Sequence, residues 1–117
     1  MKNKREIQKL MNQAIGTEAY HKFWPNLVLT DGVLTLVKAA ECFWLLDVIA
    51  SYQHNQNLDK TFQVWTLEVN RVNSSGIVRG YNDTKLIITQ KIPYTNFPLD
   101  DIKLYLIKGV ILLPSEY

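Results

Sequence analysis

Three side chains near the middle of the chain have the residue types of a serine-hydrolase triad. Asp47, Ser51 and His54 are spaced so that they share one polar stripe on an otherwise apolar helical segment. A working triad needs the imidazole between the hydroxyl and the carboxylate, within hydrogen-bond reach of both. Here the serine lies in the middle, and Asp47 and His54 are about 10 Å apart along the axis at 1.5 Å per residue. The spacing therefore excludes a triad and favours a stripe that faces solvent.

Asp47 also raises a question of burial, because it lies between Leu46 and Val48. A carboxylate in such a setting is costly to bury without a partner. If Asp47 is buried, we expect Arg71, Arg79 or an aromatic hydroxyl to pair with it.

A small carboxylate-based enzyme would use Asp31 and Asp47 together with His21, and it would need them to converge in one cleft. A composite metal site from the same three residues stays open. No H-x-x-x-H, C-x-x-C or H-E-x-x-H spacing is present, and the glycines form no phosphate-binding loop. We therefore predict no catalytic residues, no metal ligands and no cofactor.

The single cysteine, Cys42, allows no intramolecular disulfide. Its neighbours Glu41, Phe43 and Trp44 form an apolar, slightly acidic setting that raises the pKa of a thiol. We expect a buried, unreactive side chain.

The chain contains three Trp and six Tyr, which either build the core or form a binding surface. The core interpretation is favoured for a chain of this size, and the surface interpretation stays open. The residues proposed for such a functional surface are Tyr20, His21, Trp24, Asp31, Trp44 and Asp47.

The first half of the chain has helical periodicity. Ile7, Leu10, Met11 and Ala14 mark one face of an amphipathic first helix. The patterns that follow predict a short helical turn over 17–24 and an extended segment over 27–29. A second helix, capped by Thr30 or Asp31, has its apolar face at Val33, Leu36, Val37 and Ala40, and a further helix covers about 43–53.

From about Leu58 the periodicity becomes that of strands. Apolar residues occupy both phases of Phe62–Val72, which predicts either a bulge near Trp65 or burial on both faces of the sheet. Strands are also expected at 77–79, 86–94, 104–107 and 110–113, the last two joined by a tight turn at Lys108 and Gly109. We predict one α+β domain over 1–117, mainly helical in 1–54 and mainly strand in 58–117, with N-terminal helices packed on one face of a C-terminal antiparallel sheet.

The formal charge of +2 is concentrated at the start of the chain, where Lys2, Lys4, Arg5 and Lys9 face one acid, Glu6. A solvated helix face is the favoured interpretation, and association with nucleic acid through this helix is the alternative.

The sequence also predicts a location. The longest uninterrupted apolar run, Cys42–Leu46, is far shorter than the roughly 20 residues that cross a bilayer. Residues 1–13 lack the apolar stretch of a signal peptide. We expect a cytoplasmic protein that does not bind membranes.

Four blocks of the sequence together resemble a family of small uncharacterised bacterial proteins, domain of unknown function 6876. They are Thr30–Val33, Trp44–Gln53, Phe62–Trp65 and Leu112–Tyr117, and a Gly16-Thr17-Glu18 stretch precedes them. The resemblance implies a free-standing bacterial domain, often associated with mobile elements. It implies no activity and therefore no functional residues.

These observations favour an accessory or protein-interaction domain without catalysis of its own, with an unidentified protein partner and a homodimer as an open possibility. Nucleic-acid association through the basic first helix is the second hypothesis, and a carboxylate-based enzyme is the third.

Overall fold

A computed structural model describes all 117 residues and contains three α-helices and one seven-stranded sheet. The strand order is β1-β2-β7-β6-β3-β4-β5, and every neighbouring pair is antiparallel except β2 and β7. The class is α+β, as predicted. In chain order the elements are α1 (Lys4–Asn12), β1 (Tyr20–Trp24), β2 (Leu27–Thr30), α2 (Asp31–Ala40), α3 (Phe43–Ser51), β3 (Gln63–Asn70), β4 (Ser75–Asn82), β5 (Lys85–Ile92), β6 (Asp101–Ile107), β7 (Val110–Leu112) and a 3-10 turn (Pro114–Glu116).

The first helix begins at a reciprocal cap between Asn3 and Glu6. The Glu6 backbone N–H donates to Asn3 Oδ1 at 2.9 Å, and the Asn3 N–H donates to Glu6 Oε1 at 3.3 Å. This capping box satisfies two donors that a helix start otherwise leaves free. Ile7 is fully buried and Leu10 packs against the core, so the amphipathic face lies where its spacing predicts.

The short helical turn predicted over 17–24 is wrong, because Tyr20–Trp24 forms β1 at one edge of the sheet. Phe23 packs against the core while Tyr20 and Lys22 point away from it, which is the alternation of a strand. The turn at Pro25 lets β1 pair with β2, and this pairing satisfies backbone groups that a single isolated helical turn leaves open. The sheet therefore includes two N-terminal strands.

Helices α2 and α3 are where the sequence predicts them. Thr30 caps α2 by accepting a hydrogen bond from the Val33 N–H at 3.3 Å, and Glu41 ends it in the left-handed conformation at φ 52°. α3 follows after Cys42 and buries an almost continuous apolar stripe. None of the helices is long and apolar enough to span a bilayer.

Strand β3 is central and regular. It pairs with β4 and β6 without a register shift, so its two apolar phases reflect apolar contacts on both sheet faces and not a bulge. The strand predicted at 77–79 extends over the whole of β4, eight residues long. The β6–β7 turn at Lys108 and Gly109 has positive φ at both residues, as a two-residue hairpin requires.

One hydrophobic cluster of 25 buried residues lies between the helices and one face of the sheet. It contains a buried polar contact: Gln63 is fully buried, and its side-chain amide exchanges hydrogen bonds of 3.0 and 2.9 Å with that of Gln53. Gln63 Oε1 also accepts from the Trp65 indole N–H at 2.8 Å. These bonds satisfy polar groups that would otherwise be costly to bury.

Candidate functional site

Two of the six residues proposed for a functional surface come together. His21 on β1 and Asp31, the first residue of α2, are 2.7 Å apart from Nε2 to Oδ1. Asp31 also accepts hydrogen bonds from the backbone N–H groups of Glu18 and Ala19. Its carboxylate therefore ties the segment before β1 to the start of α2.

The surroundings of Asp31 favour its ionised form. The hydrogen bond from His21 is the largest cause, the backbone N–H of Glu18 adds to it, and the pKa of Asp31 falls to about 2. Thr17 contributes a hydroxyl that accepts from the Asp31 N–H at 2.8 Å and donates to the Ala19 carbonyl at 2.6 Å. The Thr17 hydroxyl therefore links the start of α2 to the segment before β1.

Asp47 does not join this pair. It is exposed on α3 and makes no hydrogen bond or ion pair. Arg71 instead pairs with Asp100 and Arg79 pairs with Glu68, at 3.1 Å in each case. Because Asp47 is exposed, its carboxylate does not require a buried partner.

The stripe of Asp47, Ser51 and His54 faces solvent, as its spacing predicts. Ser51 Oγ donates to the Val48 carbonyl at 2.7 Å, a local bond within the same helix. No group of three or more His, Cys, Asp and Glu side chains is arranged to hold a metal ion. Cys42 is fully buried, and burial raises the pKa of its thiol to about 12.

The remaining proposed residues lie in different places. Tyr20 and Trp24 are exposed on the edge strand β1, with 62% and 41% of their surface accessible. Trp44 is half-buried on α3 and packs against the core, and the third tryptophan, Trp65, is fully buried. The aromatic residues thus divide between core and surface, and the six proposed residues form no single patch.

The structure reveals a different surface, the face of the sheet opposite the helices, here called the open face. The strand register places Tyr81, Val64, Tyr105 and Leu112 in one row across β4, β3, β6 and β7. Their neighbours in the strands, such as Trp65 and Leu104, point to the helices and are buried. The open face therefore has an apolar centre with no helix over it.

Three aromatic rings from distant parts of the chain meet at this centre. Phe62 and Tyr105 lie edge to face with centroids 5.4 Å apart, and Tyr117 contacts both rings at 6.2 and 5.6 Å. Such edge-to-face contacts orient the rings specifically. Tyr117 remains 75% exposed, so the cluster reaches the surface. Sequence reasoning missed this cluster; the alternation that places Tyr105 out of phase with Leu104 was its one local signal.

Charged side chains surround the apolar centre. The register places Lys22, Lys91 and Lys103 on the open face together with Asp101. Arg79 and Glu68 lie on the same face and neutralise each other through their ion pair. The charge left on this rim is therefore basic.

The protein has an α+β fold, and its most distinctive surface is the open face, which has an aromatic centre and a basic rim. A family model described as "Family of unknown function (DUF6876)" matches residues 5–117. The chain belongs to this family, which confirms the resemblance carried by the four sequence blocks. No curated protein and no solved structure matches the chain.

Proposed function

We propose that this protein is a small accessory domain without catalysis of its own, which binds a protein partner through its open face. The observation that carries the proposal is the cluster of Phe62, Tyr105 and Tyr117 at the centre of a sheet face that no helix covers. Aromatic side chains are enriched at the centres of protein interfaces, where they bury large areas at low entropic cost. The expected setting, from the sequence resemblance and composition, is the bacterial cytoplasm.

The basic rim defines the chemistry of the partner. Lys22, Lys91 and Lys103 outnumber the one free acid, Asp101, so an apolar surface with an acidic rim complements the open face best. A second copy of this chain would present the same basic rim, and like charges would oppose a face-to-face dimer. We therefore infer a different protein as the occupant.

Nucleic acid is the second candidate, because tyrosines and lysines occur together on the open face. Two observations favour a protein partner over nucleic acid. The rings of Phe62, Tyr105 and Tyr117 meet at steep angles, so they do not form a row of parallel faces for successive bases. Part of the positive charge of the first helix is also neutralised. Lys4 Nζ lies 3.3 Å from Asp100 Oδ2, and Lys2 Nζ lies 3.8 Å from Glu6 Oε2.

The test is site-specific photo-crosslinking in cells, with a photoreactive phenylalanine at position 117 and, as the matched control, at position 43. Phe43 is an exposed aromatic residue on α3, away from the open face. We expect a protein adduct from position 117 that position 43 does not give. Lys103→Glu should reduce the yield several-fold, whereas Lys38→Glu on α2 should not change it.

Equal adducts from both positions would overturn the proposal. Adducts made only of this chain, with a dimer seen by sedimentation, would replace the foreign partner with a second copy. Retention of single-stranded DNA or RNA at low salt that Tyr117→Ser abolishes would move the function to nucleic acid.

A further inference from the structure

A cavity of about 410 Å³ lies at the end of the sheet where three connections meet, away from the open face. Its walls include Asn26 from the β1–β2 turn, Lys108 from the β6–β7 turn, and Lys60 from the connection between α3 and β3. Leu27 and Leu106 supply apolar surface, and the side chain of Gln53 also lines it. The volume is within the range of small-molecule sites.

The charges of this cavity are of one sign. Lys60 and Lys108 line it, and no carboxylate does. The Lys60 ammonium donates to the Asn55 carbonyl at 3.0 Å, and neither lysine forms an ion pair. Asp59, the acid next to Lys60 in the chain, accepts the N–H and the hydroxyl of Thr61 at 2.8 and 2.6 Å. The cavity is therefore lined by two exposed lysines without a counter-charge.

Desolvation of the Lys60 ammonium gives a second reason to expect an anion in this cavity. Lys60 is an exposed residue, and desolvation by the neighbouring atoms lowers the pKa of its ammonium. An anion in the cavity would relieve that cost, because an opposite charge nearby stabilises the ammonium.

The cavity is also held in shape by the surrounding backbone and by the half-buried side chain of Gln53. The Val28 N–H donates to the Gly109 carbonyl at 2.9 Å, and a Cβ on Gly109 would lie 2.8 Å from the Asn26 carbonyl oxygen, so the two turns are closely packed. The Gln53 amide is fixed by its bonds to Gln63 and to the Ile49 carbonyl. A pre-formed site binds with a smaller entropic cost.

We propose that this cavity binds a small organic anion, whose carboxylate or phosphate group lies between Lys60 and Lys108 and whose apolar body contacts Leu27 and Leu106. Both groups present an oxygen-rich anion to two ammonium donors, which is their shared chemistry. The proposal does not depend on the open face and would hold if that surface bound nothing.

The test is a titration of the isotope-labelled protein followed by NMR, with benzoate and phenyl phosphate as probes and benzyl alcohol as the uncharged control. We expect saturable shifts of the backbone signals of Gln53, Leu106 and Lys108 with either anion, and none with the alcohol. The anion that binds more tightly identifies the charged group. Lys60→Gln and Lys108→Gln should each weaken binding about tenfold, the loss expected for a charged hydrogen bond.

Lys9→Gln is the matched control, since Lys9 is an exposed lysine on α1 outside the cavity. The Lys9→Gln variant should bind both anions with the same affinity as the unmodified protein. Equal binding of the alcohol, shifts that do not saturate, or full affinity in the Lys60→Gln and Lys108→Gln double variant with unchanged signal dispersion would each overturn the proposal.

Discussion

The carboxylate of Glu116 lies at the start of α2, where it accepts the backbone N–H of Gly32 at 3.2 Å from a position 84 residues further along the chain. The same carboxylate accepts the Thr30 hydroxyl at 2.6 Å and the Leu113 N–H at 2.9 Å. Negative charge at a helix N-terminus is stabilising, because the first N–H groups have no partner within the helix. This contact holds the C-terminal segment in place and positions Tyr117 on the open face.

Glu116→Ala should therefore destabilise the protein by about 1–3 kcal/mol, since it removes a charged acceptor from three donors. The measurement is the free energy of unfolding in urea. Glu18→Ala is the control, because the Glu18 side chain makes no hydrogen bond or ion pair. A loss below about 0.5 kcal/mol for Glu116→Ala would show that the contact contributes little.

Gly32→Ala should be destabilising only while Glu116 is present. A Cβ at Gly32 would lie 2.8 Å from the carboxyl carbon and oxygens of Glu116 and would push that group off its donors. In the Glu116→Ala background the same change should be neutral or stabilise by up to about 1 kcal/mol, because alanine favours helix more than glycine does. A double-mutant cycle in urea measures this coupling, and additive effects would contradict it.

Gly80→Ala should cost about 1–3 kcal/mol through overpacking. A Cβ there would lie 2.7–2.9 Å from three ring atoms of Trp65. That ring has little room to move, since its N–H is bonded to Gln63 and Tyr52 stacks on it at 6.1 Å. Thermal unfolding checks the change against Gly16→Ala, whose Cβ meets nothing within 4 Å and should alter stability by less than about 0.5 kcal/mol. Equal effects would refute the packing argument.

Asp31 should contribute stability that depends on pH in the acid range. Its pKa is about 2 in the folded protein, below its ordinary value of 3.8, so the folded state binds fewer protons between these values. The contribution is complete above about pH 4 and is lost as the pH falls towards 2. Asp31→Asn should therefore be less stable than the unmodified protein at neutral pH, and the difference should shrink between pH 4 and 2 in urea titrations. A difference that stays constant over this window would be inconsistent with the lowered pKa.

Local residue spacing predicts most of the helical half of the chain, and it also excludes a catalytic triad. The stripe of Asp47, Ser51 and His54 is exposed because the helix period places it opposite the apolar residues of α3, which needs no tertiary information. The helical turn predicted over 17–24 is wrong because the structure of Tyr20–Trp24 depends on a tertiary contact. This segment becomes a strand because β2 lies beside it, and that pairing outweighs its local tendency.

The family is indicated by the four sequence blocks taken together. Local sequence patterns predict the class of fold, the positions of α2 and α3, and the tight turn at Lys108 and Gly109. These depend on periodicity, caps and turn residues that act over a few positions. Three further features follow from the tertiary fold. They are the sheet face that stays open, the contact of Phe62, Tyr105 and Tyr117 on it, and the cavity lined by Lys60 and Lys108. Each of these depends on contacts between residues tens of positions apart, which local sequence patterns do not encode.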